Sequence, residues 1–154
     1  MVMLHPTVGK ILELLTSHNL WHETFQHQPV TTSEEASHTR TGYTLSQGAK
    51  ALIVKIDQGH HSCFIELVLP GDIQLDNKLV KKNIPCKSFR FATLEEVSQL
   101  TNGIERGGVP PFGNLFDLEV YVDPKLFEHE KIVFNAGDRS SSIAMKSADY
   151  KNLV

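Results

Sequence analysis

Cysteine is scarce in this chain: Cys63 and Cys86 are the only two in 154 residues. Their wide spacing excludes a C-x-x-C redox pair, a zinc finger and a disulfide framework, and reduced thiols in a cytoplasmic setting are expected. Long hydrophobic runs are missing too. None exceeds four residues, as at Ala51-Leu52-Ile53-Val54, so no membrane-spanning helix and no membrane partner are expected. The first residues, Met1-Val2-Met3-Leu4-His5-Pro6, lack a basic start followed by an apolar core, so no secretory signal is expected. Charge of one sign is also missing. With 15 Lys and Arg against 18 Asp and Glu, the net charge is −3, which argues against a chain-wide electrostatic grip on nucleic acid, and no DNA partner is expected. There is no G-x-S-x-G elbow, no local cysteine-nucleophile signature, and no phosphate-binding Gly-Lys-Ser/Thr or dinucleotide motif. Repeats, linkers and low-complexity tracts are absent, and residues 1–154 read as a single domain.

The composition is that of an ordinary folded protein, 40% hydrophobic and 21% charged, long enough to bury a core. Eight histidines invite a metal reading, but the adjacent His60-His61 side chains diverge in a strand and His18 and His22 straddle a helix end. No metal and no cofactor are expected. One basic cluster stands out: Lys78, Lys81, Lys82, Lys87 and Arg90 follow one another with no acidic residue between them. It reads as a solvated face, with phosphate contact as the alternative.

Periodicity supplies the elements. Val8, Ile11, Leu12 and Leu15 predict an amphipathic helix over residues 7–18. Trp21 and Phe25 share one face of a short strand. Thr32 and Glu35 have capping-box spacing, as do Thr93 and Glu96, and each pair predicts a helix start. Asp76 is expected to cap a short helix with Leu79 and Val80, and Ser147 to cap a C-terminal one. Strands are expected at 50–56, 62–69, 87–92, 118–122, 131–134 and 142–145, with hairpin turns at Gly59 and at Gly137-Asp138. Short connections without sustained βαβ alternation predict an α+β fold. Its expected form is a mixed, largely antiparallel, curled and barrel-like sheet of about seven strands with flanking helices.

The stretch Gly107-Gly108-Val109-Pro110-Pro111-Phe112-Gly113 carries three glycines and two prolines, which excludes a regular helix or a central strand. It is either a rigid connector or a loop whose backbone donors face a polar ligand. In the strand from Lys50, alternation puts Lys50 on the face of Leu52, Val54 and Ile56, with Lys55 on the other. Lys50 either snorkels at the strand start or holds an ammonium at the mouth of a pocket, aimed at phosphate or carboxylate.

Taken in order, several segments resemble the YbaK/ProX family, free-standing relatives of the editing domain inserted in bacterial prolyl-tRNA synthetase. They are His27-Gln28-Pro29, Thr32-Ser33-Glu34-Glu35-Ala36, Lys50-Ala51-Leu52-Ile53-Val54, Leu69-Pro70-Gly71-Asp72, Phe91-Ala92-Thr93-Leu94-Glu95-Glu96-Val97, the 107–113 loop and Ala136-Gly137. The resemblance implies a trans-editing deacylase that hydrolyses the ester of a mischarged tRNA carrying a small amino acid such as Ala, Cys, Ser or Thr. It implies the 3′ acceptor end of aminoacyl-tRNA as partner, with a prolyl-tRNA synthetase as a second. It makes Lys50, Gly107 and Gly108 the catalytic residues, and Thr32, Ser33, Val109, Pro110, Pro111, Phe112, Gly113 and Gly137 the substrate contacts. Arg106 departs from the small residue or proline often found there, and Lys55 is the alternative for the family lysine. A ribose ester is activated by its vicinal hydroxyl, so a protein nucleophile is unnecessary; orientation of water and stabilisation of the oxyanion suffice. The competing reading is a non-catalytic module that binds the tRNA 3′ end or a synthetase. An unrelated small-ester hydrolase is a weaker third.

Overall fold

The computed structural model describes residues 3–30 and 32–154. Five α-helices and seven strands are found among them. Helix α1 (Pro6–Ser17) begins with proline, whose missing N–H has no partner to lose in a first turn, and buries Val8, Ile11 and Leu15. It covers a three-stranded antiparallel sheet of β1 (His22–Gln26), β7 (Ser141–Lys146) and β6 (Lys131–Asp138), with β7 in the middle. A four-stranded sheet holds β4 (Ser88–Phe91), β2 (Ala49–Asp57), β3 (Ser62–Pro70) and β5 (Glu119–Val122), in that order. Only the β3–β5 pair is parallel.

The largely antiparallel pairing and the hairpin at Gly59 (φ +92°) match the sequence reading. The single curled, barrel-like sheet does not. The strands divide between two sheets, and neither closes. Closure would require a continuous ladder from one sheet to the other, and among the described residues the strand-to-strand link is one bridge, Gly48 with Val133. Beside it the Gly71 N–H donates to the Gly48 carbonyl at 2.7 Å. The two sheets thus meet at a corner at the start of β2.

Local signals translate directly into helix starts. Thr32 accepts from the Glu35 N–H at α2 (Ser33–Ser37), Asp76 caps α3 (Asn77–Asn83), and Thr93 with Glu96 forms a full capping box at α4 (Leu94–Thr101). The C-terminal α5 (Ser147–Leu153) differs. Ser147 lies inside it, and its hydroxyl donates to the His129 carbonyl instead of capping the helix. Strand β6 runs to Asp138, past the expected residue 134, with an irregularity between Asn135 and Asp138.

Two buried groups brace the glycine-proline loop from below. Phe112 is fully buried against Phe134 and Tyr150, with ring centroids 5.5 and 5.4 Å away, and the Tyr150 hydroxyl donates to the Pro111 carbonyl at 2.6 Å. Glu66 of β3 is also fully buried. Its Oε1 accepts the Gly113 N–H at 3.0 Å, while Oε2 meets no partner among the described residues. Burial pushes the Glu66 carboxyl well above its ordinary 4.5, against the opposing effect of the Gly113 N–H.

The folded chain therefore retains a proton on Glu66 that the unfolded chain releases above its ordinary range. This neutral carboxyl favours the fold fully below that range, and the contribution is lost as pH rises towards the elevated folded value. Glu66→Gln keeps the acceptor for Gly113 but cannot ionise. Its melting temperature is expected to gain on the parent as pH rises from the ordinary carboxyl range towards the elevated folded value. Parallel melting profiles for the two proteins would show that Glu66 ionises freely in the fold.

Candidate active site

A cleft of about 210 Å³ opens where the sheets meet. Thr32, Ser33 and Ala36 of α2 and its cap line it together with Arg40. The loop contributes Arg106, Gly107 and Val109, and the chain at the start of β2 contributes Gly48, Ala49, Lys50, Ala51 and Leu52. Asn135 of β6 completes the lining.

The structure thus brings Lys50, Gly107, Thr32, Ser33 and Val109 to one cleft, although they lie up to 77 positions apart (109 − 32). The other expected contacts sit elsewhere. Gly108 is not in the lining: its N–H donates to the Glu105 carbonyl at 2.9 Å, and an added Cβ would meet the Arg139 nitrogen at 3.2 Å. Pro110 and Pro111 are buried behind the lining, Phe112 belongs to the core, and Gly113 packs on Glu66. Gly137 (φ +113°) lies on Thr7 of α1, and its N–H donates to the Gly108 carbonyl at 2.9 Å. These residues hold the loop from outside the cleft.

Lys50 is half-buried, and desolvation lowers its pKa, opposed by the charge of Asp72. Lys55 points to the other face, its Nζ 5.5 Å from the centre of the Phe64 ring, and borders a separate depression with His60 and Arg90. That separation follows from strand alternation alone.

The sequence reading missed Arg40, Asn135 and Ser142. Arg40 is 5% exposed, although arginine is almost never buried without a partner. Its Nε donates to Ser142 Oγ at 3.0 Å and Nη2 to Asn135 Oδ1 at 3.1 Å. Desolvation brings the guanidinium down to about 10, so it stays charged at neutral pH. Asn135 in turn donates from Nδ2 to the Gly107 carbonyl. His27 reaches the same network through Ser142 Oγ at 2.8 Å. Arg106 fixes the start of the loop by donating from Nη2 to the Ala92 carbonyl at 2.6 Å. The available signal was the interruption of an apolar strand by a polar residue, Val133-Phe134-Asn135-Ala136.

Residues 27–153 match the model of the aminoacyl-tRNA editing domain. The chain belongs to this family. It is 33% identical to the multifunctional Ser/Thr-tRNA deacylase ProXp-y of Escherichia coli (strain K12), over 96% of this chain and 88% of that protein. It is 36% identical to the uncharacterized protein YwhH of Bacillus subtilis (strain 168), over 74% of this chain and 69% of that one. Among solved structures, the hypothetical protein APE2540 superposes with a TM-score of 0.80 at 25% identity, covering 94% of this chain and 93% of the other. A candidate trans-editing enzyme for prolyl tRNA synthetase shares the fold, with a TM-score of 0.77 at 22% identity, covering 98% and 93%.

The geometry separates two effects at the loop. A side chain on Gly108 would press on the backbone of Glu105 and Arg139, not on a ligand in the cleft. Gly108→Val is therefore expected to lower stability by about 1–3 kcal/mol through overpacking. Thermal or denaturant unfolding reads this directly. A variant as stable as the parent would mean that the loop shifts freely at this position.

Proposed function

We propose that this editing-domain chain is a free-standing deacylase, which hydrolyses the ester between a small amino acid and the terminal ribose of a mischarged tRNA. The observation that carries the reading is the 27–153 family match on a chain whose cleft gathers Lys50 and the glycine-proline loop. The relative of known activity is named for Ser and Thr. The polar lining here, with Thr32, Ser33 and Asn135, suits a hydroxylated side chain, so Ser and Thr lead the substrates and Ala and Cys follow.

The chemistry needs only water. Its oxygen attacks the acyl carbon, the carbonyl electron pair moves onto oxygen, and collapse breaks the bond to the ribose oxygen. The water's proton ends on that oxygen, leaving a free amino acid and a free ribose hydroxyl. The vicinal ribose hydroxyl assists proton movement, and the protein contributes placement and charge. Lys50 at the rim anchors phosphate or sugar of the 3′ end. The small cleft excludes bulky acyl groups, whereas one methylene changes selection by only about 1–3 kcal/mol. Acting on released aminoacyl-tRNA, such a chain corrects synthetase errors in trans, with a prolyl-tRNA synthetase as the partner to test first.

Deacylation of a panel of tRNAs charged with Ser, Thr, Ala, Cys and a bulky residue tests this reading. Hydrolysis confined to the small set is expected, and inertness towards the whole panel would favour a binding module. Lys50→Ala should lower the rate by about 10²-fold with the fold retained, because the anchored end of the substrate loses its position. Lys55→Ala should stay close to the parent. Equal losses in the two variants would reject Lys50 as the anchor.

A further inference from the structure

Arg40 carries a positive charge inside the protein with no carboxylate to balance it. Its two bonded nitrogens face the neutral oxygens of Ser142 and Asn135, and neither ion pair among the described residues includes it. A buried cation is costly unless an anion meets it. The third nitrogen, Nη1, has no hydrogen-bond partner among the described residues. It lies beside Gly48, 3.4 Å from where a Cβ on that glycine would stand, and both residues line the cleft. The free edge of the guanidinium therefore borders the cleft. The Gly108 amide, by contrast, is already bonded to Glu105.

We propose that Arg40 is a catalytic residue of the deacylation, donating from its free edge to the carbonyl oxygen as that oxygen becomes an oxyanion. This rests on the deacylase reading above. In that reading, the anion generated at the acyl carbon is the tetrahedral intermediate, whose negative oxygen forms when water adds and disappears when the ribose oxygen leaves. The ground-state ester is neutral, so a fixed charge here acts on the transition state more than on substrate binding. Ser142 and Asn135 hold the guanidinium in place, and the bond from Asn135 to Gly107 ties its position to the loop.

Arg40→Gln removes the charge. Its kcat should fall by about 10²–10³-fold on Ser- and Ala-charged tRNA alike, with KM within about threefold of the parent. Arg40→Lys, which keeps a charge without the fork, should fall between the two. A loss confined to hydroxylated amino acids would make Arg40 a reader of the side chain, and a raised KM with kcat preserved would make it a phosphate anchor; either result overturns the proposal. So does a folded Arg40→Gln with parental kcat.

A measurement on the parent protein covers variants that do not fold. A phosphonate analogue of aminoacyl-adenosine, tetrahedral and anionic, should bind about 10²-fold tighter than the neutral amide analogue. Equal binding of the two overturns the proposal. A parent protein inert on every charged tRNA would reject the deacylase reading instead, and the phosphonate comparison would still report on the anion site.

Discussion

Four backbone groups of the 107–113 loop find a buried or fixed partner. Gly107 offers its carbonyl to Asn135, Gly108 to the Gly137 amide, and Pro111 to Tyr150, while the Gly113 amide bonds to Glu66. A proline-rich segment has few donors of its own and cannot join a ladder, so side chains of the surrounding layers must satisfy it. The placement of α5, the identity of Glu66 in the centre of β3 and the polar residue in β6 all answer this requirement. Without them the loop would have no reason to keep one shape beside the cleft.

The two sheets are joined by backbone where Gly48 bridges Val133, and they share the core in which Ala49 and Val68 meet Ile132, Phe134, Ile143 and Met145. The Gly71 N–H extends the β2–β3 ladder to Gly48 at the same corner. An added Cβ on Gly71 would stand 2.7 Å from the Leu45 carbonyl, so this corner tolerates no larger residue without moving backbone. The cleft lies at that corner.

Much of this was legible in the sequence because it is local. Thr32, Asp76 and Thr93 announce their helices within three residues, and alternation in β2 assigns Lys50 and Lys55 to opposite faces. Pairing between distant strands was not legible: β1 joins β7 across more than a hundred residues, and nothing in either segment names its partner. That is why a single curled sheet was the natural expectation and two sheets the outcome. Arg40 escaped for the same reason. In the sequence it sits in a polar stretch, His38-Thr39-Arg40-Thr41, which reads as surface, and only the approach of Asn135 and Ser142 makes it internal. Within the loop, composition marked the segment but could not say which of its residues face a ligand and which face the core.

The cleft has parts of different origin. The loop part is fastened by Tyr150, Glu66 and Asn135, whereas another part is a single short helical turn carrying Thr32, Ser33 and Ala36. None of those three side chains takes part in the fastening. Width and polarity set by Thr32, Ser33 and Ala36 can therefore drift while Arg40, held by Ser142 and Asn135, and the loop stay fixed. Under the deacylase reading, acyl preference and catalytic competence become separable traits, so a duplicated copy could acquire a new amino acid to police without first losing its ability to cut.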